Sequence, residues 1–296
     1  MMKLKGKQLA VIGGDKRYIQ VINHLAEQHA MIYIEGFSTI DFPQENIQHT
    51  SLDEIPFETL DGIILPVLGM DNNEQIQLNY PAGKAQFSDE LIRKTPGDCV
   101  IYTGTASERL KAIAKENDRE LIILFARDDI AIANSIPTAE ATLQIAMEKI
   151  DYTIHNSNVL VTGFGRVGIT VARLFANTGA EVTVAARNHA DFARIKEMRL
   201  TPVSISQLTE TIPHIDICIN TVPHLIITKK VIHAMNENSL IIDLASHPGG
   251  TDFSAADGRG IQAIHALGLP GKAAPKTAGD IIAHTITQLI IEKNYI

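Results

Sequence analysis

The chain has 296 residues, of which 45% are hydrophobic and 20% are charged, which is typical of a globular protein long enough for two domains. Its formal net charge of −8 argues against a nucleic-acid partner, because phosphate backbones bind basic surfaces. No apolar run reaches membrane-spanning length, and the N-terminus leads into a strand rather than a signal peptide. We therefore expect a cytoplasmic protein without membrane contact.

The first part of the chain alternates short apolar strands with amphipathic helices. Strands are predicted over residues 8–12, 31–34, 60–67, 99–102 and 120–125, and helices follow the first and fourth of them. Residues 69–94 are polar and contain Pro81 and Gly83, which predicts an irregular, exposed excursion. The alternation predicts a doubly wound α/β domain without a complete dinucleotide fingerprint.

A single helix over residues 137–149 is predicted next. Pro137 suits a first helical turn and Ser135 can cap it, so we expect this helix to join two domains.

A glycine-rich turn in residues 159–168 is the strongest motif of the chain. A β-branched run ends at Gly163, and Gly165 and Gly168 complete a Gly-x-Gly-x-x-Gly before a helix. Gly163 permits the sharp turn, Gly165 permits close approach of the backbone to a pyrophosphate, and Gly168 permits tight packing of helix and strand. The motif predicts a dinucleotide on the helix N-terminus, although a purely structural turn has the same spacing.

The end of the next strand, residues 181–186, indicates which dinucleotide binds. NAD-binding proteins place an acid about 20 residues after the motif, and this chain has Ala186, Arg187 and Asn188 there instead. A guanidinium can hold a 2′-phosphate, so NADP is favoured over NAD unless Arg187 is only a solvated loop charge. The residues expected to bind the cofactor in these two segments are Gly163, Gly165, Arg166, Val167, Gly168, Ala186, Arg187 and Asn188.

The βα alternation continues, with strands predicted over residues 201–203, 216–221, 239–245 and 261–266. Strand ends in a doubly wound sheet line the cofactor crevice. We therefore expect Thr221, Val222 and Pro223 near the ribose and nicotinamide, and Asp243 and Ala245 beside the ring.

The last segment is a glycine- and proline-rich loop, residues 268–279, followed by a helix over residues 280–292 that we expect to pack on the first domain. The predicted domain organisation is a substrate-side domain over residues 1–136, a joining helix over 137–150, a Rossmann domain over 151–275 and a returning C-terminal helix over 276–296.

Metal and nucleophile motifs are not visible in the sequence. No cluster has the spacing of metal ligands, and no serine or cysteine nucleophile motif is present. Cys99 and Cys218 lie in apolar, strand-like runs and are expected to be buried thiols.

Eight strings are distributed over nearly the whole chain, namely Val11-Ile12-Gly13-Gly14-Asp15, Arg127-Asp128-Asp129-Ile130-Ala131-Ile132, Asn134-Ser135-Ile136-Pro137-Thr138, Asp151-Tyr152-Thr153-Ile154-His155, Gly163-Phe164-Gly165-Arg166, Asp216-Ile217-Cys218-Ile219-Asn220-Thr221, Pro248-Gly249-Gly250-Thr251-Asp252-Phe253 and Ala274-Pro275-Lys276-Thr277-Ala278-Gly279. Apart from the glycine string, they are far more specific than a Rossmann fingerprint. Through them the chain resembles the family of dipicolinate synthase A subunits over nearly its whole length.

The resemblance implies a flavodoxin-like first domain and a C-terminal Rossmann domain, as in D-2-hydroxyacid and alanine dehydrogenases. It implies NADP-dependent oxidation of dihydrodipicolinate, formed from the lysine-pathway intermediate 4-hydroxy-tetrahydrodipicolinate, to dipicolinate during sporulation. It also implies that the partner is the flavoprotein-like B subunit of dipicolinate synthase, and we expect a homo-oligomer.

This chemistry requires groups that hold two carboxylates and a base that takes the ring proton. The candidate carboxylate holders are Arg17, Lys276 with Thr277, and Arg127, whose charge the neighbouring Asp128 and Asp129 can neutralise. The candidate bases are His247, His265 and Asp129. Each histidine is alternatively a packed side chain, and Arg17 is alternatively a surface charge.

Two other functions fit the sequence. One is a D-2-hydroxyacid or alanine-type dehydrogenase that reduces a keto acid. Such enzymes need an arginine and a histidine–acid pair in the Rossmann half, whereas the strand end at Asp243 has no arginine and the sequence shows no clean histidine–glutamate pair. The other is an NADP-binding scaffold that is inactive without its partner. The sequence leaves open the identity of the base, whether dehydration occurs on the enzyme, the oligomeric state, and activity in the absence of the partner.

Overall fold

The computed structural model describes residues 3–293 and divides into two compact units. The first unit comprises Met1–Ala131 with Ala274–Ile296, and the second comprises Ile132–Ala273. Residues 1–2 and 294–296, which the first and last predicted segments include, lie outside the described residues. No helix within residues 3–293 is long and apolar enough to cross a membrane.

The first unit is built on a six-stranded parallel sheet. Its strands, with a separate hairpin, are β1 (Gln8–Ile12), β2 (Met31–Glu35), β3 (Ile47–His49), β4 (Gly62–Ile64), β5 (Gln75–Asn79), β6 (Ala82–Gln86), β7 (Val100–Thr103) and β8 (Glu120–Ile123). The helices of this unit are α1 (Lys16–Glu27), α2 (Asp89–Arg93) and α3 (Glu108–Glu116), and α4 (Asp128–Lys149) begins in it and continues into the second unit. The sheet order is β3-β2-β1-β4-β7-β8, so five strands follow the 2-1-3-4-5 order of flavodoxin-like folds and β3 adds an edge.

The polar segment 69–94 is ordered rather than irregular, which corrects the expectation from its composition. β5 and β6 form an antiparallel hairpin, and α2 follows it. Ile76 and Leu78 alternate with exposed or half-exposed polar residues along β5, and Ala85 faces the same core from β6. This alternation with a period of two is typical of a strand. The intervening polar residues and Pro81 made the segment look like a loop.

The second unit contains a second six-stranded parallel sheet. Its strands are β9 (Asn158–Thr162), β10 (Glu181–Ala186), β11 (Thr201–Ser204), β12 (Ile217–Asn220), β13 (Leu240–Asp243) and β14 (Gln262–His265). The remaining helices are α5 (Arg166–Asn177), α6 (His189–Glu197), α7 (Leu208–Thr211), α8 (Lys229–Ala234), α9 (Phe253–Gly258), α10 (Leu269–Ala273) and α11 (Pro275–Lys293). The sheet order β11-β10-β9-β12-β13-β14 is the 3-2-1-4-5-6 order of dinucleotide-binding domains.

Helix α4 begins nine residues before the predicted start, so Pro137 lies inside it and Ser135 does not cap it. Asp128 and Asp129 occupy its first turn, where negative charges interact favourably with the positive end of the helix dipole. The Ser135 hydroxyl instead donates to the carbonyl of Ile132 and contacts the Thr170 hydroxyl at 2.6 Å. A proline removes only one hydrogen bond from a 22-residue helix, and here that cost is tolerated.

Helix α11 belongs to the first unit, where it packs beside α1. Ile282 and Ile286 are buried in the same core cluster as Val21 and Leu25. The helix starts at Pro275 rather than at residue 280, so the expected loop before it is mostly helical.

Candidate functional site

The last residues of four neighbouring strands form a row of polar side chains at the carboxyl edge of the second sheet. The register pairs Thr162 with Asn220 and Asn220 with Asp243, and it pairs Asp243 with His265. β9 and β12 lie at the centre of this order, where the direction of winding reverses. Ligands of doubly wound sheets bind at such a switch point.

The three glycines of the motif have distinct surroundings that match their predicted tasks. Gly163 has a φ of 94°, and a Cβ there would meet the Thr221 hydroxyl at 2.5 Å. Gly168 lies against the carbonyl oxygen of Gly163, where a Cβ has no room. Gly165 caps α5, and a Cβ there would enter open space. A phosphate group can therefore approach the backbone at Gly165 and the first N–H groups of α5.

A groove of about 520 Å³ begins at this turn and contains most of the expected cofactor residues. The predicted members that line it are Gly163, Gly165, Arg166, Val167, Ala186, Arg187, Thr221, Val222 and Pro223. Those that sequence reasoning missed are Phe164, Ala185, Asp191, Ile205 and His224. The glycine cradle and this lining fit a nicotinamide dinucleotide.

The end of β10 carries both a cation and an acid. Arg187 is exposed beside the groove, and in the part of the chain that the structure describes no carboxylate pairs with it. Asp191 lines the same groove from the first turn of α6. Asn188 accepts a hydrogen bond from the Asp191 N–H and donates one to its carboxylate, both at 2.8 Å. Asn188 therefore caps α6 and orients Asp191.

Asp243, which the sequence predicts beside the nicotinamide ring, is fully buried and does not line this groove. Its carboxylate accepts hydrogen bonds from Asn220 Nδ2 at 2.8 Å, from the Ala245 N–H at 3.0 Å and from the Gly250 N–H at 2.8 Å. Ala245 is likewise buried, and it too is absent from the groove lining. Asp243 thus ties the loops after β12 and β13 together.

His247 and His265 lie together at the end of β14, with ring centroids 5.0 Å apart. His265 Nε2 is 2.9 Å from the carbonyl oxygen of Ala245, which only accepts, so Nε2 carries the proton and Nδ1 holds the lone pair. Phe253 covers His265 at a centroid distance of 5.4 Å, whereas His247 is exposed. His265 is the last residue of β14, and His247 lies in the loop after β13.

Two of the candidate cations of the first unit, Arg17 and Arg127, are already paired with neighbouring acids. Arg17 makes a two-pronged ion pair with Asp15, and Arg127 makes one with Asp129. Burial raises the pKa of Asp15, but the hydrogen bonds and charge of Arg17 outweigh it and hold the pKa below its usual value. Hydrogen bonds from Arg127 likewise lower the pKa of Asp129. Asp129 is therefore a weak base.

Lys276 and Thr277 lie in the first turn of α11, and this turn is next to the start of α1. A Cβ on Gly279 would collide with the carbonyl oxygen of Arg17, and Gln20 Nε2 donates to Asp280 Oδ1 at 2.8 Å. These contacts show that the two helices run parallel, so their positive N-terminal ends lie side by side. Two such ends with an exposed lysine attract an anion.

Two family models match the chain. The model of the N-terminal domain of the dipicolinate synthase A subunit matches residues 8–125. The model described as "Alanine dehydrogenase/PNT, C-terminal domain" matches residues 130–291. The second match covers the glycine motif, the groove and the histidine pair.

Individual relatives match over nearly the whole chain. The dipicolinate synthase A subunit of Bacillus subtilis (strain 168) is 46% identical over 98% of this chain and 97% of that protein. The crystal structure of the dipicolinate synthase A chain from Bacillus subtilis superimposes with a TM-score of 0.95 at 45% identity, covering 99% of this chain and 98% of that one. Its counterpart from Bacillus halodurans superimposes with a TM-score of 0.93 at 43% identity, covering 97% and 98%. Transhydrogenase from Sinorhizobium meliloti shares the fold, with a TM-score of 0.69 at 13% identity over 96% and 94% of the two chains.

Proposed function

Since the chain belongs to the family of dipicolinate synthase A subunits, we propose that it catalyses the NADP-dependent oxidation of dihydrodipicolinate, formed from 4-hydroxy-tetrahydrodipicolinate, to dipicolinate. The reaction moves a hydride from the ring to the nicotinamide and a proton from the ring to a base, and the product ring becomes aromatic. Its dehydrogenase-type second half makes the chain an oxidoreductase-like protein that uses a nicotinamide dinucleotide.

The observation that carries the proposal is the open space at Gly165 beside the groove of the second unit. A dinucleotide supplies hydride-accepting chemistry when bound there. The motif residues offer backbone N–H groups to the pyrophosphate, and Thr221, Val222 and Pro223 line the groove at the end of β12.

The choice of NADP over NAD depends on Arg187. Its guanidinium is exposed on the groove and is suited to two-pronged contact with a 2′-phosphate. Asp191 opposes that choice, because a carboxylate repels a phosphate. Asn188 holds one Asp191 oxygen at 2.8 Å, which turns that oxygen toward the start of α6. We therefore assign the phosphate contact to Arg187.

The substrate's carboxylates require cations, and Lys276 with Thr277 supplies the best candidate. Both are exposed at the paired helix ends, whereas Arg17 has a side chain that is 11% exposed and already paired with Asp15. Arg17 then contributes by fixing the helix start and by adding positive charge. Arg127 is committed to Asp129 in the same way.

For the proton acceptor, His265 is favoured over the other candidates. Its Nδ1 holds the lone pair and its ring is held by Ala245 and Phe253. His247 is exposed and lies against it, so it can relay the proton to solvent. Asp129 is a poor base because Arg127 lowers its pKa.

The relatives are named as one component of a synthase with more than one kind of chain, which implies a partner. We propose that this partner is the B subunit of dipicolinate synthase, that the protein acts in the cytoplasm of a sporulating cell on a branch of the lysine pathway, and that it forms a homo-oligomer. A scaffold role is the second candidate. The internal pairing of Arg17 with Asp15 and of Arg127 with Asp129 favours it, since neither cation is free for a substrate.

One assay separates these functions. Purified protein receives freshly generated dihydrodipicolinate and NADP, with and without the B subunit, while dipicolinate and NADPH absorbance are followed together. Equal amounts of both products from the chain alone support the dehydrogenase. Turnover only in the presence of the partner supports the scaffold, and turnover only with a 2-keto acid and NADPH supports a 2-hydroxyacid dehydrogenase.

Two variants test the assigned residues. Arg187→Ala should weaken NADPH binding by about 10-fold or more and leave NADH binding unchanged, because one charge-assisted contact contributes about 1.5–3 kcal/mol. Arg194→Ala, which removes a surface arginine on the following helix, is the matched control. Lys276→Ala should raise the substrate KM or lower kcat and leave NADPH affinity intact. Normal turnover in Lys276→Ala removes this residue from the site.

A further inference from the structure

Two histidines and an aspartate meet on the packed helices α1 and α11 of the first unit. His24 lies on α1, and Asp280 and His284 lie one turn apart on α11. One ligand atom of each lies within 4.8 Å of the other two. The spacing of four residues places both α11 side chains on one helix face, toward His24.

His284 is held in the form that a metal requires. Its Nδ1 lies 2.8 Å from the carbonyl oxygen of Asp280, and a carbonyl only accepts hydrogen bonds. Nδ1 therefore carries the proton, and the lone pair is on Nε2. Metal-bound histidines typically donate their second ring N–H to a carbonyl or carboxylate in this way.

Asp280 is oriented by a second partner. Gln20 Nε2 donates to Asp280 Oδ1 at 2.8 Å, which fixes the carboxylate and leaves Oδ2 for another ligand. Gln20 stands one helix turn before His24, so α1 contributes both a ligand and the group that positions another ligand. Hydrogen-bonded ligand carboxylates are a usual feature of metal sites.

His24 faces several titratable and charged groups. Its ring centroid is 4.3 Å from that of His284, with Asp280 on the same side and Glu27 and Lys3 nearby.

We propose that His24, Asp280 and His284 form a binding site for one Zn²⁺ ion, with one coordination position left for water. Two imidazoles and a carboxylate are a donor set that zinc uses. Four-coordinate zinc with bonds of about 2.1 Å needs ligand atoms about 3.4 Å apart, so small side-chain rotations complete the site.

The ion would join two helices from opposite ends of the chain. Because α1 and α11 carry Arg17 and Lys276 at their starts, a link between the last turn of α1 and the middle of α11 would help to hold these starts together. The site is distinct from the dinucleotide groove, and it does not depend on the reaction proposed above.

The test uses untagged full-length protein stripped with a chelator and dialysed. Zn²⁺ is titrated in competition with a chromophoric chelator, and Co²⁺ is added separately to read coordination from its visible absorption. We expect one equivalent of zinc with a Kd of about 1 µM or tighter and four-coordinate cobalt bands. Zinc at 100 times its Kd should lower the unfolding constant about 100-fold. Mg²⁺ should not compete, because it prefers oxygen ligands.

Four variants separate this site from adventitious binding. His24→Gln and His284→Gln should each lose the bound equivalent and the zinc-dependent stabilisation, while keeping the melting temperature of the metal-free protein. Gln20→Ala should weaken binding about 10-fold, as loss of a group behind a ligand does. His233→Gln removes an exposed histidine on α8 and should change nothing. Retention of the tight equivalent in either His24→Gln or His284→Gln, or its absence from the wild type, overturns the proposal.

Discussion

Replacement of Asp243 by asparagine is the sharpest test of the buried network in the second unit. The two side chains have nearly the same shape, so the change creates no cavity. It removes a negative charge and converts one acceptor oxygen into an amide group. The carboxylate accepts from Asn220 Nδ2 and from the N–H groups of Ala245 and Gly250, and an asparagine oxygen cannot serve all three directions.

The expected cost follows from these contacts. A lost charge-assisted hydrogen bond costs about 1.5–3 kcal/mol, and the buried donor left facing an amide costs about 1–3 kcal/mol more. Release of a fully buried charge offsets part of this loss. We therefore expect Asp243→Asn to lower the free energy of unfolding by about 3 kcal/mol.

Urea unfolding followed by circular dichroism measures the loss, and NADPH titration measures its effect on the groove. Asp252→Asn is the matched control, because Asp252 caps α9 through one hydrogen bond and asparagine caps equally well. NADPH affinity should also fall in Asp243→Asn. Asp243 holds the Asn220 amide, which donates to the carbonyl oxygen of Val222, and Val222 lines the groove. If Asp243→Asn unfolds within about 1 kcal/mol of the wild type, the carboxylate does not organise these loops.

Three further predictions concern the groove and the thiols. Gly165→Ala should keep the fold at a cost of about 1 kcal/mol and should lose most of its NADPH affinity in a fluorescence titration. Gly168→Ala should instead destabilise the protein, because its Cβ has no room beside a carbonyl oxygen. Equal effects of the two substitutions on binding and on stability would contradict the separate tasks of these glycines. Asp191→Asn should strengthen NADPH binding relative to NADH, and unchanged relative affinities would show that this carboxylate does not face the 2′-position. Burial raises the pKa of both Cys99 and Cys218 to about 12, so at pH 8 only about one thiol in 10,000 is ionised; an aromatic disulfide reagent should react slowly with the folded protein and rapidly in urea, and fast reaction of the folded form would show that the thiols are accessible.

Local patterns identified most of the strands and the glycine turn, but not β3, β5 or β6. The strand over Glu181–Ala186 has the predicted bounds, and the Gly163 turn lies where the spacing predicts it. Both depend on residues close together in the chain, namely an apolar run and a glycine at a fixed offset. The predicted start of the helix around Pro137 was wrong, because a proline marks the first turn only where the helix does not extend further toward the N-terminus. Here α4 extends past the proline.

Contacts between distant segments were not accessible in the same way. Asp191 lies four residues after Arg187, yet only the turn of α6 brings it to the groove. His24 and His284 meet because α11 returns to α1, and no spacing along the chain encodes that contact. Such sites depend on which helix faces pack together, and a single sequence shows the faces without their partners.

The place of a polar residue at a strand end is predictable, but its role depends on the direction in which its side chain points. In a parallel sheet of order 3-2-1-4-5-6 the last residues of neighbouring strands are in register, so Thr162, Asn220 and Asp243 must form a row. Successive side chains of a strand point to opposite faces of the sheet. A polar side chain one position earlier or later along the strand can therefore make a buried hydrogen bond instead of a ligand contact. Asp243 is directed inward, toward Asn220 and the Gly250 N–H, whereas Thr221 and Val222 follow their strand and reach the groove. The residues that bind a dinucleotide in such a sheet are therefore expected one to three positions beyond the strand end, and the last strand residue is expected to hold them in place.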